Sequence, residues 1–207
     1  MINLKNIQYQ ISPKTILENI NLNIQEGKTT VIMGKNGSGK STLLKLINQI
    51  IKPSSGFFES TLSKPVPMLF QKPLMLQNSA NYNYQILQKI KKHQINNFWF
   101  QKFNLSNLSN QKMSSLSEGE KQKIFISRIM SFDQSHLFLD EPNQSLDLQS
   151  EKLLIDLLIN EKKKKTIVMT LHDFEIAKKI GDYFIFLENG QILFQDSYEN
   201  FFKRFRY

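Results

Sequence analysis

The most informative part of the chain reads Gly34-Lys35-Asn36-Gly37-Ser38-Gly39-Lys40-Ser41, followed by Thr42, and it fits the pattern G-x-x-x-x-G-K-[S/T] at every position. The apolar run Val31-Ile32-Met33 precedes this stretch, and an amphipathic segment follows it. Its glycines let successive backbone N–H groups close around phosphate oxygens, and the N-terminus of the following helix adds its positive dipole end. The stretch therefore predicts a phosphate-binding loop between a strand and a helix.

Two side chains of this loop are predicted to act on a nucleotide directly. Lys40 places a positive charge near the β- and γ-phosphates, and the Ser41 hydroxyl is positioned to bind Mg²⁺. A glycine-rich turn that fits the pattern by chance is the alternative, but the strand and the helix on either side argue against it. The loop alone indicates a nucleotide-binding protein and leaves kinases and GTPases open.

Further apolar runs lie at 68–70, 137–139, 167–169 and 184–187, and none of them alternates with polar residues. Such runs are typical of strands buried on both faces, as in a parallel sheet. Because amphipathic helical segments separate them, we predict an α/β fold, a P-loop NTPase core with a mostly parallel sheet. Two alternating stretches before Ile24 predict an antiparallel β part.

The whole chain, residues 1–207, is predicted to form one domain. The antiparallel β part lies within 1–30, beside the start of the core, and residues 116–207 complete the core. The segment at about 79–115 is rich in Asn, Gln and Lys and carries the aromatic cluster Phe98, Trp99, Phe100 and Phe103. We interpret it as a small α-helical subdomain with these aromatic side chains mostly in its core.

Composition narrows the class of protein. Hydrophobic residues make up 40% of the chain and charged residues 22%, which is ordinary for a globular protein. No apolar run approaches the roughly 18–20 residues needed to cross a bilayer. The N-terminus lacks the apolar core of a signal peptide. We therefore expect a cytosolic protein that reaches a membrane only through a partner.

Residue usage also limits the chemistry. The chain has no cysteine, which excludes disulfides, thiolate metal sites and a cysteine nucleophile. The net charge of +9 favours anionic ligands such as a nucleotide, a nucleic acid or acidic lipid headgroups. The four consecutive lysines at 162–165 are more simply explained as a solvated turn before a strand.

A pair of acids follows the apolar run at 137–139, in the order Asp140-Glu141-Pro142. An acid at the carboxyl end of a parallel strand faces the crevice where such sheets bind ligands. Asp140 is therefore predicted to bind Mg²⁺, and Glu141 to polarise the attacking water. Ordinary surface acids at a strand end are the alternative, which the phosphate loop makes less attractive.

Between the loop and the acids lies Leu116-Ser117-Glu118-Gly119-Glu120-Lys121-Gln122, which leads into an apolar helix. Ser117 and Glu120 can form a capping box there. In this order, the loop, this segment and the acidic strand resemble the ATP-binding cassette (ABC) family. The family signature is Leu-Ser-Gly-Gly-Gln, so Glu118 and Glu120 depart from it, while Ser117 and Gly119 keep the residues that would contact a γ-phosphate.

Four further positions match landmarks of the same family. Gln71 resembles the glutamine that touches Mg²⁺ and communicates with the membrane partner, and Asp147 lies in a segment like the loop that crosses the dimer interface. His172 resembles the histidine that senses the γ-phosphate. Tyr9 is a candidate for stacking on adenine, although packing in an edge strand would explain it equally well.

The resemblance implies an ATP-hydrolysing subunit that uses Mg²⁺, with Lys40, Glu141 and His172 in catalysis and Ser41, Gln71 and Asp140 at the metal. In this family two cassettes stack head to tail, so that Ser117, Gly119 and Glu120 of one copy would seal the nucleotide of the other. A transmembrane permease and a substrate-binding protein would complete an importer, with the chain at the cytoplasmic side of the membrane. The sequence around Gln71 resembles tungstate- and phosphate-type oxyanion importers.

Two other classes of protein are possible from the same residues. The net charge would suit an ABC-type ATPase acting on nucleic acid or the ribosome, but the chain lacks the long coiled coil or the second cassette of such proteins. A small-molecule kinase would leave the Ser117 segment and His172 without a role. We therefore expect no nucleic-acid partner.

Overall fold

The structure, a computed structural model, describes residues 1–62, 65–92 and 94–204. Its strands are β1 (Ile2–Ile11), β2 (Lys14–Ile24), β3 (Thr29–Met33), β4 (Ser55–Ser60), β5 (Met68–Leu69), β6 (His136–Asp140), β7 (Thr166–Thr170), β8 (Tyr183–Glu188) and β9 (Gln191–Ser197). Its α-helices are α1 (Lys40–Ile47), α2 (Ala80–Ile90), α3 (Phe98–Lys102), α4 (Glu118–Met130), α5 (Leu148–Glu161), α6 (Phe174–Ile180) and α7 (Tyr198–Arg204).

The phosphate-binding loop leaves the carboxyl end of β3, inside a six-stranded sheet with the order β5-β6-β7-β3-β8-β9. The first five of these strands pair in parallel, and β9 runs antiparallel to β8. In β3, Val31 and Met33 pack into the hydrophobic cluster on one face of the sheet, and Ile32 packs into the cluster on the other. Burial on both faces explains the unbroken apolar runs and confirms the predicted mostly parallel core.

The hairpin of β8 and β9 is absent from our sequence prediction. Asn189 and Gly190 form its two-residue turn, with φ of 47° and 79°. A turn with two positive φ values matches the twist of the flanking strands, which is why Asn-Gly is a strong hairpin signal. Gly190 is also required sterically, since a Cβ there would lie 2.4 Å from the carbonyl oxygen of Ile16.

A second, antiparallel sheet has the order β2-β1-β4. Its first two strands were predicted, but β4 lies outside the predicted range of 1–30 and pairs with β1 through Leu4 opposite Phe58. Most apolar side chains of β1 and β2 are buried, and those of Ile7 and Leu17 are fully buried. They join the cluster that also contains Leu43 and Leu44 of α1, so this sheet covers the helix that follows the phosphate loop.

The helical subdomain consists of α2, α3 and two short 3₁₀ turns at Ser106–Leu108 and Met113–Ser115. It packs on α4 through buried Tyr84, Phe100 and Phe103, and the Ser127 hydroxyl of α4 donates a hydrogen bond to the Trp99 carbonyl oxygen at 3.3 Å. Phe98 differs from its neighbours, because its side chain is 53% exposed. The aromatic cluster is therefore mostly core, and Phe98 is the exception.

Candidate functional site

The phosphate-binding loop joins β3 to α1 by a backbone path that glycine alone tolerates. Gly34 and Gly39 have φ of 144° and 104°, and a Cβ on Gly34 would lie 2.1 Å from the Leu187 carbonyl oxygen. The close approach packs the loop on the end of β8. The loop then enters α1 directly, so the free N–H groups of the first helical turn face the same concavity.

Lys40 closes the loop on itself. Its Nζ donates hydrogen bonds to the carbonyl oxygens of Gly34 at 2.9 Å and Lys35 at 3.1 Å, and its side chain is buried. Burial lowers the pKa of Lys40, while Glu141 and Asp140 oppose that effect. The ammonium group is thus held at the mouth of the loop, with its charge directed to any anion that enters.

A cavity of 350 Å³ adjoins the loop. The buried Ser38 hydroxyl of the loop has no hydrogen-bond partner among the residues that the structure describes, which suits an acceptor such as a phosphate oxygen. The charge of Lys40 and the backbone donors of α1 favour the same ligand. The loop therefore fits the phosphates of ATP. The lining residues of the cavity are Ile16, Asn36, Gly37, Gly39, Lys40, Ser41, Thr42, Gln71 and Glu141.

Asp140 lies at the end of β6, opposite Thr170 of β7. Its Oδ1 accepts hydrogen bonds from the Thr170 hydroxyl at 2.7 Å and from the Ser41 hydroxyl at 3.0 Å. The predicted pair of Mg²⁺ ligands, Ser41 and Asp140, is therefore brought together by the sheet. A buried carboxylate and a hydroxyl in contact offer the oxygen donors that Mg²⁺ prefers.

Glu141 is held from two sides. Its Oε1 lies 2.5 Å from Nε2 of His172, and its Oε2 accepts a hydrogen bond of 2.9 Å from the Gln71 side chain. The backbone N–H of Glu141 bonds to the Thr170 hydroxyl at 2.9 Å, and its φ is 48°. A non-glycine residue in this region costs some free energy, so such positions cluster at functional sites. Glu141, predicted to polarise the attacking water, is thus in contact with His172, the predicted γ-phosphate sensor, and with Gln71, a predicted Mg²⁺ ligand.

The Ser117 segment begins α4 with the predicted capping box. The Ser117 N–H and hydroxyl both donate to Oε2 of Glu120, at 2.8 and 2.7 Å, and these bonds lower the pKa of Glu120. Gly119 packs against the loop before α5, since a Cβ there would lie 2.8 Å from the Ser145 carbonyl oxygen. Asp147 caps α5 and lies 3.7 Å from the Lys123 ammonium.

Sequence reasoning missed three contributors to the site. Thr170 bridges Asp140 and the backbone of Glu141, and its position in Thr170-Leu171-His172 was the available signal. The Gln122 side chain donates to the Pro142 carbonyl oxygen at 3.0 Å, which ties α4 to the acidic strand end. Ile16 of β2 lines the cavity beside the loop, whereas Tyr9 is half-buried against the core and does not line it.

A family model described as "ABC transporter" matches residues 17–144, a span that includes the loop, the Ser117 segment and both acids. The chain belongs to the ABC transporter family. The phosphonates import ATP-binding protein PhnC of Fusobacterium nucleatum is 30% identical over 94% of this chain and 91% of its own length. Two more relatives are also 30% identical. The petrobactin import ATP-binding protein YclP of Bacillus subtilis is matched over 93% of this chain and 85% of its own length, and the tungstate uptake system ATP-binding protein TupC of Peptoclostridium acidaminophilum over 92% and 96%.

A solved dimeric ATP-binding cassette in a post-hydrolysis state, bound to ADP and phosphate, superposes on this ABC subunit with a TM-score of 0.83. The two are 25% identical, and the match covers 96% of this chain and 99% of that one. The chain is therefore the ATP-binding, ATP-hydrolysing subunit of an importer-type ABC transporter, and dimeric cassettes of this fold support a pairing of two copies. This membership removes the small-molecule kinase as an alternative.

Importer subunits of this family work with membrane permease subunits. Across the described ranges of this ABC subunit, no helix has the length and apolar character needed to cross a bilayer. The similar proteins are named for phosphonates, petrobactin and tungstate at equal identity. They establish import as the class of transport, and they differ in the transported molecule.

Proposed function

We propose that two copies of this subunit close on ATP and Mg²⁺, with each phosphate loop facing Ser117, Gly119 and Glu120 of the other copy. The supporting observation is the make-up of the cavity beside the loop. Its lining includes Lys40, Ser41 and Glu141, and no residue of α4 is among the lining residues. The N-terminus of a 13-residue helix, an intrinsic anion site, is then available to a second copy.

ATP and Mg²⁺, when bound, supply the phosphoanhydride to be cleaved and the cation that neutralises its charge. In this proposal the loop and Lys40 hold the phosphates, and Ser41, Asp140 and Gln71 hold the metal. Glu141 takes the proton of the attacking water on its carboxylate, while His172 and Gln71 fix that carboxylate in place. Ile16 is better placed than Tyr9 to contact the rest of the nucleotide, because Ile16 lines the cavity.

Closure of the two copies changes the conformation of a separate permease at the cytoplasmic side of the membrane. The change is transmitted through Gln71 and the helical subdomain. The cargo is an oxyanion, delivered by an extracytoplasmic substrate-binding protein. Support for this cargo comes from the relatives named for phosphonates and tungstate, each 30% identical to this chain. The pairing of Gln71 with Glu141 supports a route from hydrolysis to the partner, since one hydrogen bond joins them.

Reconstitution of the complete system tests this function. The subunit, a permease that co-purifies with it and a substrate-binding protein are placed in liposomes with ATP inside and tungstate, phosphonate or a siderophore outside. We expect an oxyanion to raise ATP hydrolysis and to accumulate inside, and the siderophore to do neither. Stimulation by the siderophore alone would refute the proposed cargo, and hydrolysis that no permease alters would refute the transport role.

The two acids of the signature segment should weaken closure on ATP. Glu118 is exposed and paired with Lys121 at 2.7 Å. Glu120 accepts hydrogen bonds from Ser117, which lower the pKa of its carboxyl group. Both acids therefore place negative charge where the phosphates bound by the other copy would dock. We expect Glu118→Gln together with Glu120→Gln to lower the ATP concentration needed for pairing by about three- to tenfold, as removal of two nearby like charges implies. Analytical ultracentrifugation across an ATP titration measures this shift.

The matched control changes two exposed acids elsewhere, Glu59→Gln and Glu199→Gln, and removes the same total charge. The control should leave the midpoint of the titration unchanged. An equal shift in both variants would assign the effect to net charge, and no shift in the signature variant would show that these carboxylates do not face the nucleotide.

A further inference from the structure

Thr170 lies at the end of β7, between the strand that carries the two acids and the strand that leads into the phosphate loop. It pairs with Asp140 of β6 on one side and with Ile32 of β3 on the other. Its side chain is fully buried, and a β-branched side chain has few allowed rotamers. Strand pairing on both sides and burial therefore fix the position of the Thr170 hydroxyl.

This hydroxyl group acts as a donor and as an acceptor at the same time. Its single proton is donated to Oδ1 of Asp140 at 2.7 Å, and its oxygen accepts the backbone N–H of Glu141 at 2.9 Å. The direction of the O–H bond is thereby set, because the N–H occupies a lone pair and the carboxylate takes the proton. One oxygen atom thus joins the carboxylate proposed to hold Mg²⁺ to the backbone of the residue proposed to activate water.

Both acids joined by this hydroxyl are in positions that cost free energy. Asp140 is 1% exposed, and a buried carboxylate is costly unless it is hydrogen-bonded. Glu141 has φ of 48°, a conformation that a non-glycine residue keeps only where its neighbours enforce it. The Thr170 hydroxyl supports the first acid through its side chain and the second through its backbone, so its loss would affect both.

We propose that Thr170 is a positioning residue of the ATPase site, whose hydroxyl sets the geometry of Asp140 and of Glu141 together. The inference rests on the proposed roles of these two acids and adds the residue that couples them. Thr170 is not among the residues that line the cavity beside the loop, so it acts through its neighbours rather than on the nucleotide. A shift of Asp140 on metal binding therefore also shifts the backbone of Glu141.

The first test measures metal binding without turnover. The probe is Mn²⁺, a substitute for Mg²⁺ whose free form is quantified by electron paramagnetic resonance, and the full chain is saturated with adenylyl imidodiphosphate, which is not hydrolysed. Thr170→Val keeps the shape of the side chain and removes the hydroxyl. It should raise the Kd for Mn²⁺ about 10- to 100-fold, the usual effect of losing a group that orients a metal ligand. Thr170→Ser keeps the hydroxyl and should restore the affinity of the unmodified chain.

Thr29→Val is the matched control. Thr29 starts β3, and its buried hydroxyl has no hydrogen-bond partner within residues 1–62, 65–92 and 94–204, so this change should leave the Kd for Mn²⁺ unchanged. Thr170→Ala serves if Thr170→Val does not fold, because alanine and serine both lack the methyl group and differ only in the hydroxyl. A lower Tm with an unchanged Kd for Mn²⁺ in the variants without the hydroxyl would show a purely structural role and would overturn the proposal.

The second test separates ATP binding from turnover. At saturating Mg²⁺ and ATP, Thr170→Val should lower kcat by about 10- to 100-fold, because misplacing a catalytic group by about 1 Å has an effect of this size. The KM for ATP should stay unchanged, since the phosphate loop is intact, and Thr170→Ser should restore kcat. Full recovery of kcat in Thr170→Val at high Mg²⁺ would show that the hydroxyl acts on the metal alone, and it would overturn the coupling to Glu141.

Asp140→Asn distinguishes a failure of this inference from a failure of the proposed function. It should weaken Mn²⁺ binding at least as much as Thr170→Val does, because it removes a carboxylate ligand. Weaker binding in Asp140→Asn but not in Thr170→Val would refute the role of Thr170 and would leave the proposed metal site intact. Unchanged binding in Asp140→Asn would refute the proposed metal site, and the coupling through Thr170 with it.

Discussion

Glu141→Gln should reduce the rate of ATP hydrolysis by about two to four orders of magnitude, the usual contribution of a positioned general base. The substitution removes the basic carboxylate but keeps an amide of the same shape between Gln71 and His172, which hold it at 2.9 and 2.5 Å. Binding of ATP depends on the phosphate loop and should persist. We therefore expect closed dimers to accumulate with ATP, because the step that reopens them is blocked.

Phosphate release and size-exclusion chromatography with ATP and Mg²⁺ measure the two effects together. Glu199→Gln is the matched control, since Glu199 is an exposed acid on α7. The control should hydrolyse ATP at the rate of the unmodified chain. Normal turnover in Glu141→Gln would remove this residue as the base, and slow turnover of a chain that stays monomeric with ATP would argue against pairing.

Lys40→Ala should weaken ATP binding by about 10- to 100-fold, which corresponds to the roughly 1.5–3 kcal/mol of a hydrogen bond to a charged group. The Lys40 ammonium is buried at the mouth of the loop and bonded to the carbonyl oxygens of Gly34 and Lys35. Its removal deprives the phosphates of their nearest side-chain charge and leaves two carbonyl oxygens without that donor. Hydrolysis should fall below detection, since the same charge acts in the transition state.

Isothermal titration calorimetry with ATP measures the affinity, and thermal unfolding shows whether the variant remains folded. Lys163→Ala serves as the control, because this lysine is exposed in the turn before β7 and loses the same charge. An unchanged affinity in Lys40→Ala would contradict the assignment of the loop, whatever the effect on hydrolysis.

The core of this fold could be predicted from sequence because its strands are buried on both faces and read as unbroken apolar runs. β4 could not be found in that way, since Phe57 and Phe58 are adjacent and the strand exists through its pairing with β1. The β8–β9 hairpin could have been predicted, because the turn residues Asn189 and Gly190 mark it in the sequence.

For the site, the sequence identified which residue types lie close to phosphate and metal, and it could not supply the contacts between them. Thr170 holds Asp140 because parallel pairing places them opposite each other, a fact of topology rather than of local sequence. The choice between Tyr9 and Ile16 likewise depends on which face of the β1–β2 sheet borders the loop. Local motifs identify the chemistry, and only the sheet order brings the residues together.

The contact between Gly119 and the Ser145 carbonyl oxygen has a mechanical consequence. No side chain separates these two backbones, so the start of α4 and the turn ahead of α5 must shift together. If both elements border the interface of two copies, the same two elements contribute to both nucleotide sites. Release of one nucleotide then disturbs the binding of the other. We expect the two copies to act cooperatively. A subunit whose phosphate loop is disabled should also slow ATP hydrolysis by its intact neighbour.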